Sequence, residues 1–370
     1  MLASISQTVM DPDGMALTKS EYGQMFFFLL SGVLVVPSIF PRLCRRFEME
    51  KMYRFAALMN IAYLAIIYLT ITTHVVGSAA YIVLAISSAM GGAANSLTIS
   101  NLQFVASAVF PEKTKITTIF IHALVSIGAS AGPGYVALTS GMFSLSSNLL
   151  CFTLISILPV ALLSFLSHRL DAKGHQHQEH DEKSSLGWIA TLFLLLCMGY
   201  GFVEGFSGNW AVTYVEIEKG QPRASAQSCL SLIWFFITVG RLGVMLLMKK
   251  IPSSWLHSFS PLVMLGGLAT CFLGNTLTEL LIGFSILGLG LSYFFPMTVG
   301  MSLERFPKLH SKLASYSSGA VMIGFAMGSV GVGVISDHMG IALGQFFVVS
   351  MILASVLFVV TLSVHRPVDA

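Results

Sequence analysis

Three ionisable side chains fall inside long apolar stretches of the sequence: Glu204, Arg241 and His122. An ionisable group at the centre of a bilayer costs about 2.5–3.5 kcal/mol on insertion scales, so such groups are few and usually functional. A carboxylate there can take up and release a proton, which makes Glu204 the candidate for coupling solute movement to a gradient. Its plainer alternative is a hydrogen bond that holds two helices together. Arg241 reads as a structural or gating cation near one mouth of a helical bundle. His122 is a candidate proton relay, or a packing residue close to a helix start. Glu204 lies roughly 26 Å along its helix and Arg241 only about 12 Å from the membrane face marked by Lys249, so no direct salt bridge between them is expected.

A second set of residues suits a polar ligand. Asn101 and Gln103 share one apolar run with Asn95, Gly91 and Gly92. Amides carry both donors and acceptors, which fits hydroxyl-rich or zwitterionic solutes, although they also bond helix to helix at about 0.6 kcal/mol each. Asn209, Trp210, Tyr214, Trp234 and the run Tyr293-Phe294-Phe295 could stack on a sugar ring. Trp210 and Tyr214 stand near the end of their run, where an interfacial aromatic is the alternative. Tyr293 lies mid-span ahead of Pro296, whose missing N–H should bend the helix.

The elements that carry these residues follow from composition. Of 370 residues, 55% are hydrophobic and only 10% charged, with a net charge of +3 and a mean hydropathy of +0.80. Soluble proteins carry roughly 25% charged residues, so a water-soluble enzyme and a nucleic-acid binder are both excluded. Runs long enough to cross a bilayer as helix occur at Gly23–Phe40, Phe55–Thr73, Ala79–Val109, Ile116–Leu138, Leu149–Leu166, Leu186–Val212, Leu230–Met248, Leu262–Thr278, Leu280–Met301, Leu313–Ile335 and Ile341–Val364. The expected fold is an all-α polytopic membrane protein with 11 transmembrane helices.

One set of alternate loops holds sixteen basic residues: Arg42, Arg45, Arg46, Lys51, Arg54, Lys113, Lys115, Arg169, Lys173, Lys183, Lys249, Lys250, Arg305, Lys308, Lys312 and Arg366. The other set holds three, Lys19, Lys219 and Arg223. Such asymmetry puts the richer loops and the C-terminus in the cytoplasm, in a plasma (inner) membrane. The polar segment around His175, His177 and His180 reads as a solvated linker rather than a metal site, and no span pairs His with Asp at metal-ligand spacing. The five cysteines are scattered without a C-x-x-C and read as reduced buried thiols. No G-x-x-x-x-G-K-[ST] occurs, so an ATP-driven pump is excluded and any transport must run on gradients. No metal and no cofactor is expected.

The linker divides a repeat. A shift of 196 residues places Gly92 on Gly288, Phe110-Pro111 on Phe306-Pro307, Gly128 on Gly324 and Gly132 on Gly328. The expected organisation is an N-terminal half-bundle (1–168), a cytoplasmic linker (169–186) and a pseudo-symmetric C-terminal half-bundle (187–370). The second half holds six spans and the first five, so the reading is a 12-helix plan whose first helix is missing or truncated, with Met1–Met10 as its outer end.

With these motifs the chain resembles the major facilitator superfamily of secondary transporters. The loop Phe40–Arg54, led by Leu17-Thr18-Lys19-Ser20-Glu21-Tyr22-Gly23, is similar to the superfamily's basic loop. It departs from the pattern at Cys44, where the family has Asp, and at Glu48, where it has Gly. Gly128-x-x-x-Gly132-Pro133 is similar to the G-x-x-x-G-P element. Glu204-Gly205, Asn209-Trp210, Tyr214, Gly240-Arg241-Leu242 and Gly92 followed by Asn101 resemble the fucose-permease branch.

The resemblance implies a monomeric symporter that moves a small polar solute, a sugar first, by alternating access on a proton or sodium gradient. Drug or metabolite efflux is the alternative, as is a truncated non-transporting membrane protein. The candidate binding residues are Asn101, Gln103, Tyr293, Asn209 and Trp210; those for coupling or gating are Glu204, Arg241 and His122.

Overall fold

The computed structural model describes residues 5–109, 114–139, 142–158, 187–306 and 309–365, without certain side chains within them, those of Gln103 and His122 included. The expected linker, Phe110-Pro111 and Pro307 lie outside the described residues. Among the described residues there is no strand. The helices run in the order α1 (Ser6–Met10), α2 (Lys19–Arg46), α3 (Met49–Thr72), α4 (Gly77–Val109), α5 (Thr114–Thr139), α6 (Leu145–Ile155), α7 (Trp188–Thr213), α8 (Arg223–Leu247), α9 (Ser253–Leu273), α10 (Leu277–Arg305), α11 (His310–Ala326), α12 (Val332–Met339) and α13 (Leu343–Val364). A π-helical turn, Tyr214–Glu218, extends α7, and another, Met327–Gly331, joins α11 to α12.

The described parts of the eleven expected spans overlap these helices, Leu149–Leu166 being described only to Leu158 and Leu313–Ile335 running through α11, the π-helical turn and α12. By length and composition, eight described helices could cross a membrane, and Ala123–Thr139 and Leu145–Ile155 are shorter apolar ones. The poorest boundary was the expected Leu262–Thr278. The helix there starts at Ser253, behind Pro252, and stops at Leu273. What cuts it is a capping box: Thr276 accepts from the Glu279 backbone, and the Glu279 side chain accepts from the Thr276 backbone, so α10 begins at Leu277. An equivalent box, Thr18 with Glu21, starts α2. Gly340, at φ +65°, ends α12 in the left-handed region that glycine adopts without strain.

The chain forms two compact units, one of Ile5–Val125 with Thr139–His177, the other of Met1–Ser4, Ser126–Leu138 and Gln178–Ala370. In the first, α2 packs on α4 so closely that a Cβ on Gly92 would lie 1.9 Å from the Leu29 carbonyl oxygen. Ser96 seals the same contact by donating to the Val33 carbonyl at 2.9 Å. In the second, α7 packs on α11 through a four-glycine seam. A Cβ on Gly201 or Gly205 would meet Val321 or Phe325 carbonyl oxygens at 2.1 and 2.5 Å. One on Gly324 or Gly328 would meet those of Met198 and Phe202 at 1.8 and 2.2 Å. In lipid the helices gain little from the hydrophobic effect, so such backbone approach is what holds them together.

Candidate functional site

The second unit gathers the ionisable groups of α7 and α8 around Tyr200. The Tyr200 hydroxyl donates to Glu204 Oε1 at 3.0 Å, one helical turn away. Tyr200 is buried, and its ring stacks on Phe294 and Phe295 of α10 at 6.0 and 5.7 Å. The Arg241 guanidinium comes within electrostatic range of both Glu204 and the Tyr200 hydroxyl. Tyr200, a turn closer to the start of α7, spans the difference in depth.

Arg241 is held from two further sides. Its Nε donates to the Ser292 carbonyl at 3.1 Å and its Nη1 to Ser126 Oγ at 2.7 Å. The first bond has a cause in the sequence. Proline has no N–H, so Pro296 leaves the carbonyl four residues earlier, that of Ser292, without its helical donor. Arg241 supplies the donor. Bonds to a charged group contribute about 1.5–3 kcal/mol, more than neutral ones. Nearby, the reciprocal pair Ser130 and Ser231 exchange hydroxyl-to-carbonyl bonds of 2.9 Å each.

Asn209 and Trp210 are drawn into the seam. Asn209 Nδ2 donates to Ser329 Oγ at 2.6 Å, and Trp210 Nε1 donates to the Ser329 carbonyl at 2.9 Å. Ser329 sits in the π-helical turn after α11, where the altered backbone repeat re-aims its polar atoms. Trp210 is fully buried and Tyr214 nearly so, its hydroxyl donating to the Cys271 carbonyl at 3.2 Å, which corrects the interfacial alternative for both. Their position near the helix end led to that alternative; the π-helical turn carries α7 one turn further, so they pack inside. Tyr293 is half-buried against Val244, Leu256 and Met297. Trp234 stands beside Gly208.

In the first unit, Asn101 is 1% exposed, and neither its Nδ2 nor its Oδ1 has a hydrogen-bond partner among the described residues. A buried amide left unmet costs about 1–3 kcal/mol, so a position of this kind asks for a ligand. The side chains of Gln103 and His122 lie outside the described residues. Sequence reasoning singled out Glu204, Arg241 and Asn101 and did not name Tyr200, Ser126 or Ser292. Tyr200 was findable, because four residues before Glu204 is the same helical face.

No protein-family profile matches the chain, and no curated protein does. Solved structures do. The nucleoside transporter NupG matches with a TM-score of 0.71 at 12% identity, over 99% of this chain and 95% of the other. The D-xylose-proton symporter matches with 0.76 at 14%, over 97% and 93%. FucP, a major facilitator superfamily transporter in the outward conformation, matches with 0.64 at 12%, over 99% and 96%. The chain therefore has the major facilitator superfamily fold. With its apolar helices, it is an integral membrane protein.

Proposed function

We propose that the protein is a secondary active transporter of a small polar solute, sugar-like in its hydroxyls, driven by a proton or sodium gradient. The observation that carries this reading is a carboxylate inside a span, Glu204, bonded by Tyr200 and facing Arg241. Protonation of Glu204 removes the charge that Arg241 senses, and its loss restores it, so the cluster can alternate between two electrostatic states. Supporting it are the fold and the transport of sugars or nucleosides by proteins that share it.

In this reading Asn101 bonds the solute directly, since its buried amide has no partner among the described residues, and Gln103 and Tyr293 assist. Asn209 and Trp210 frame the site through Ser329. Residues 1–168 and 187–370 rock as two halves, as repeats do in alternating access. The basic loops and the C-terminus face the cytoplasm of a plasma (inner) membrane, and the transporter works as a monomer.

The test is uptake into proteoliposomes of the wild type and Glu204→Gln. The variant should lose gradient-driven accumulation while retaining solute exchange. Accumulation at the wild-type level would remove Glu204 from the mechanism.

A further inference from the structure

A second titratable cluster lies in the same unit, apart from Glu204. His257, in the second turn of α9, is fully buried, and its ring stacks on Phe294 at 4.8 Å with the planes 16° apart. Both ring nitrogens are engaged. Nε2 lies 2.7 Å from Thr298 Oγ1 and Nδ1 lies 3.0 Å from Nε2 of His365. The protons can be placed by elimination. A carbonyl only accepts, so the Thr298 hydroxyl proton goes to the Phe294 carbonyl at 2.7 Å. The Thr298 oxygen then accepts from His257 Nε2–H. A neutral His257 thus presents the bare Nδ1 to His365, and His365 holds its proton on Nε2, between the rings.

His365 caps the end of α13 beyond the span and is partly exposed. It lines a recess of about 300 Å³ with Phe193, Met301, Glu304, Arg305 and Val364. The charged groups facing the pair come from α10, where Glu304 is exposed and Arg305 donates to the Val364 carbonyl. From α7 comes only the apolar Phe193. Lys249 and Lys250 are exposed on the turn before α9. Burial and the Arg305 cation hold His365 below the usual histidine range. The pair is therefore neutral near pH 7 and has room for one proton.

We propose that His365 and His257 are a proton-loading site that opens on the basic-loop face of the protein. A proton leaves a solvent hydronium and bonds to His365 Nδ1, and His365 becomes the cation. Its Nε2–H bond stays whole and is donated to the bare Nδ1 of His257, which remains neutral, so one charge-assisted bond joins the rings. The charge is balanced, no electron moves, and no further reactant is needed. The accepting ring lies flat against Phe294. Phe294 also stacks on Tyr200, the donor to Glu204, so a loaded pair sets the ring beneath the carboxylate. Only this last link, and the assignment of the face to the cytoplasm, rest on the function proposed above.

The experiment is ¹⁵N-histidine NMR of the purified full chain in nanodiscs between pH 8 and 4.5, for the wild type and for His257→Gln, His365→Gln and Thr298→Val. Each variant is first checked for a monodisperse elution profile. In the wild type the two rings should move together in one protonation step. His365→Gln should abolish the step that His257 reports, because the ring that takes the proton is gone. Thr298→Val, nearly unchanged in volume, should shift the His257 Nε2 signal by removing its acceptor. Independent titration of the two rings, a His257 step that survives His365→Gln, or unchanged signals in Thr298→Val would each overturn the proposal. None of these signals depends on solute movement, so a transport failure and a failure of the pair are separable.

Discussion

Two regions with matching sequence marks are built differently. The seam of α7 and α11 is closed throughout: its four glycines lie against backbone, and Asn209 and Trp210 are both bonded to Ser329. In α5, Gly128 and Gly132, the repeat partners of Gly324 and Gly328, have no described atom within 4 Å of where a Cβ would stand. In α4, the buried Asn101 amide has no hydrogen-bond partner among the described residues. The same residue types therefore serve a frame in one place and leave contacts unmade in the other. A transporter needs both, since a site that already satisfied its own polar groups would have nothing to offer a solute.

The largest effect should come from single methyl groups. In Gly324→Ala the new Cβ would stand 1.8 Å from the Met198 carbonyl oxygen, backbone that a rotamer change cannot clear. Overpacking of this kind costs about 1–3 kcal/mol, and more when backbone must move. Gly128→Ala should be neutral, or stabilise by up to about 1 kcal/mol through helix propensity. Melting temperature and elution profile in detergent measure both. Equal tolerance at the two positions would erase the contrast between seam and open face.

Arg241→Met comes next. It strands the Ser292 carbonyl that Pro296 has already deprived of its helical donor, and it removes the bond to Ser126. A fall in stability of about 1.5–3 kcal/mol is expected from the charged bonds. Arg241→Lys should recover only part of it, because one ammonium cannot reproduce two directed guanidinium bonds.

How much of this was legible in the sequence depends on the distance over which the information acts. The apolar spans were readable, because apolar length is a local property. The capping box at Thr276 and Glu279 was readable too, but the apolar run around it masked it. The Arg241–Ser292 contact joins residues 51 apart, and no spacing within one helix reports it. Pro296 hinted that a carbonyl would be orphaned, without saying which cation would fill the gap. The burial of Trp210 required the π-helical turn at Tyr214–Glu218, a change of repeat that hydrophobic periodicity does not reveal.

A matched pair of substitutions sharpens the comparison further. Trp210→Phe drops the bond to Ser329, worth about 0.6 kcal/mol in a bilayer, and leaves a cavity where the larger indole stood, so it should cost more than that bond alone. Asn101→Leu removes an amide that makes no bond among the described residues, so the solute-free protein should be no less stable, and even slightly more so. Its cost should appear only with solute present, as a loss of ligand-induced thermal stabilisation. A large destabilisation of solute-free Asn101→Leu would make Asn101 a part of the frame.

The smallest expected effect is a pH dependence, and its sign follows from His365. Burial and Arg305 lower its proton affinity in the folded protein, whereas the unfolded chain binds a proton at the usual value of about 6.5. Between those two values the unfolded state carries more protons, so stability rises with pH. The contribution of the neutral ring is complete above about pH 6.5 and fades as the pH falls from there toward the lowered folded value. The chain has nine other histidines, so the informative quantity is the difference in melting temperature between wild type and His365→Gln. It should shift against the wild type on going from pH 7.5 to 5.5. A constant difference across that range would place His365 in open solvent and detach it from His257.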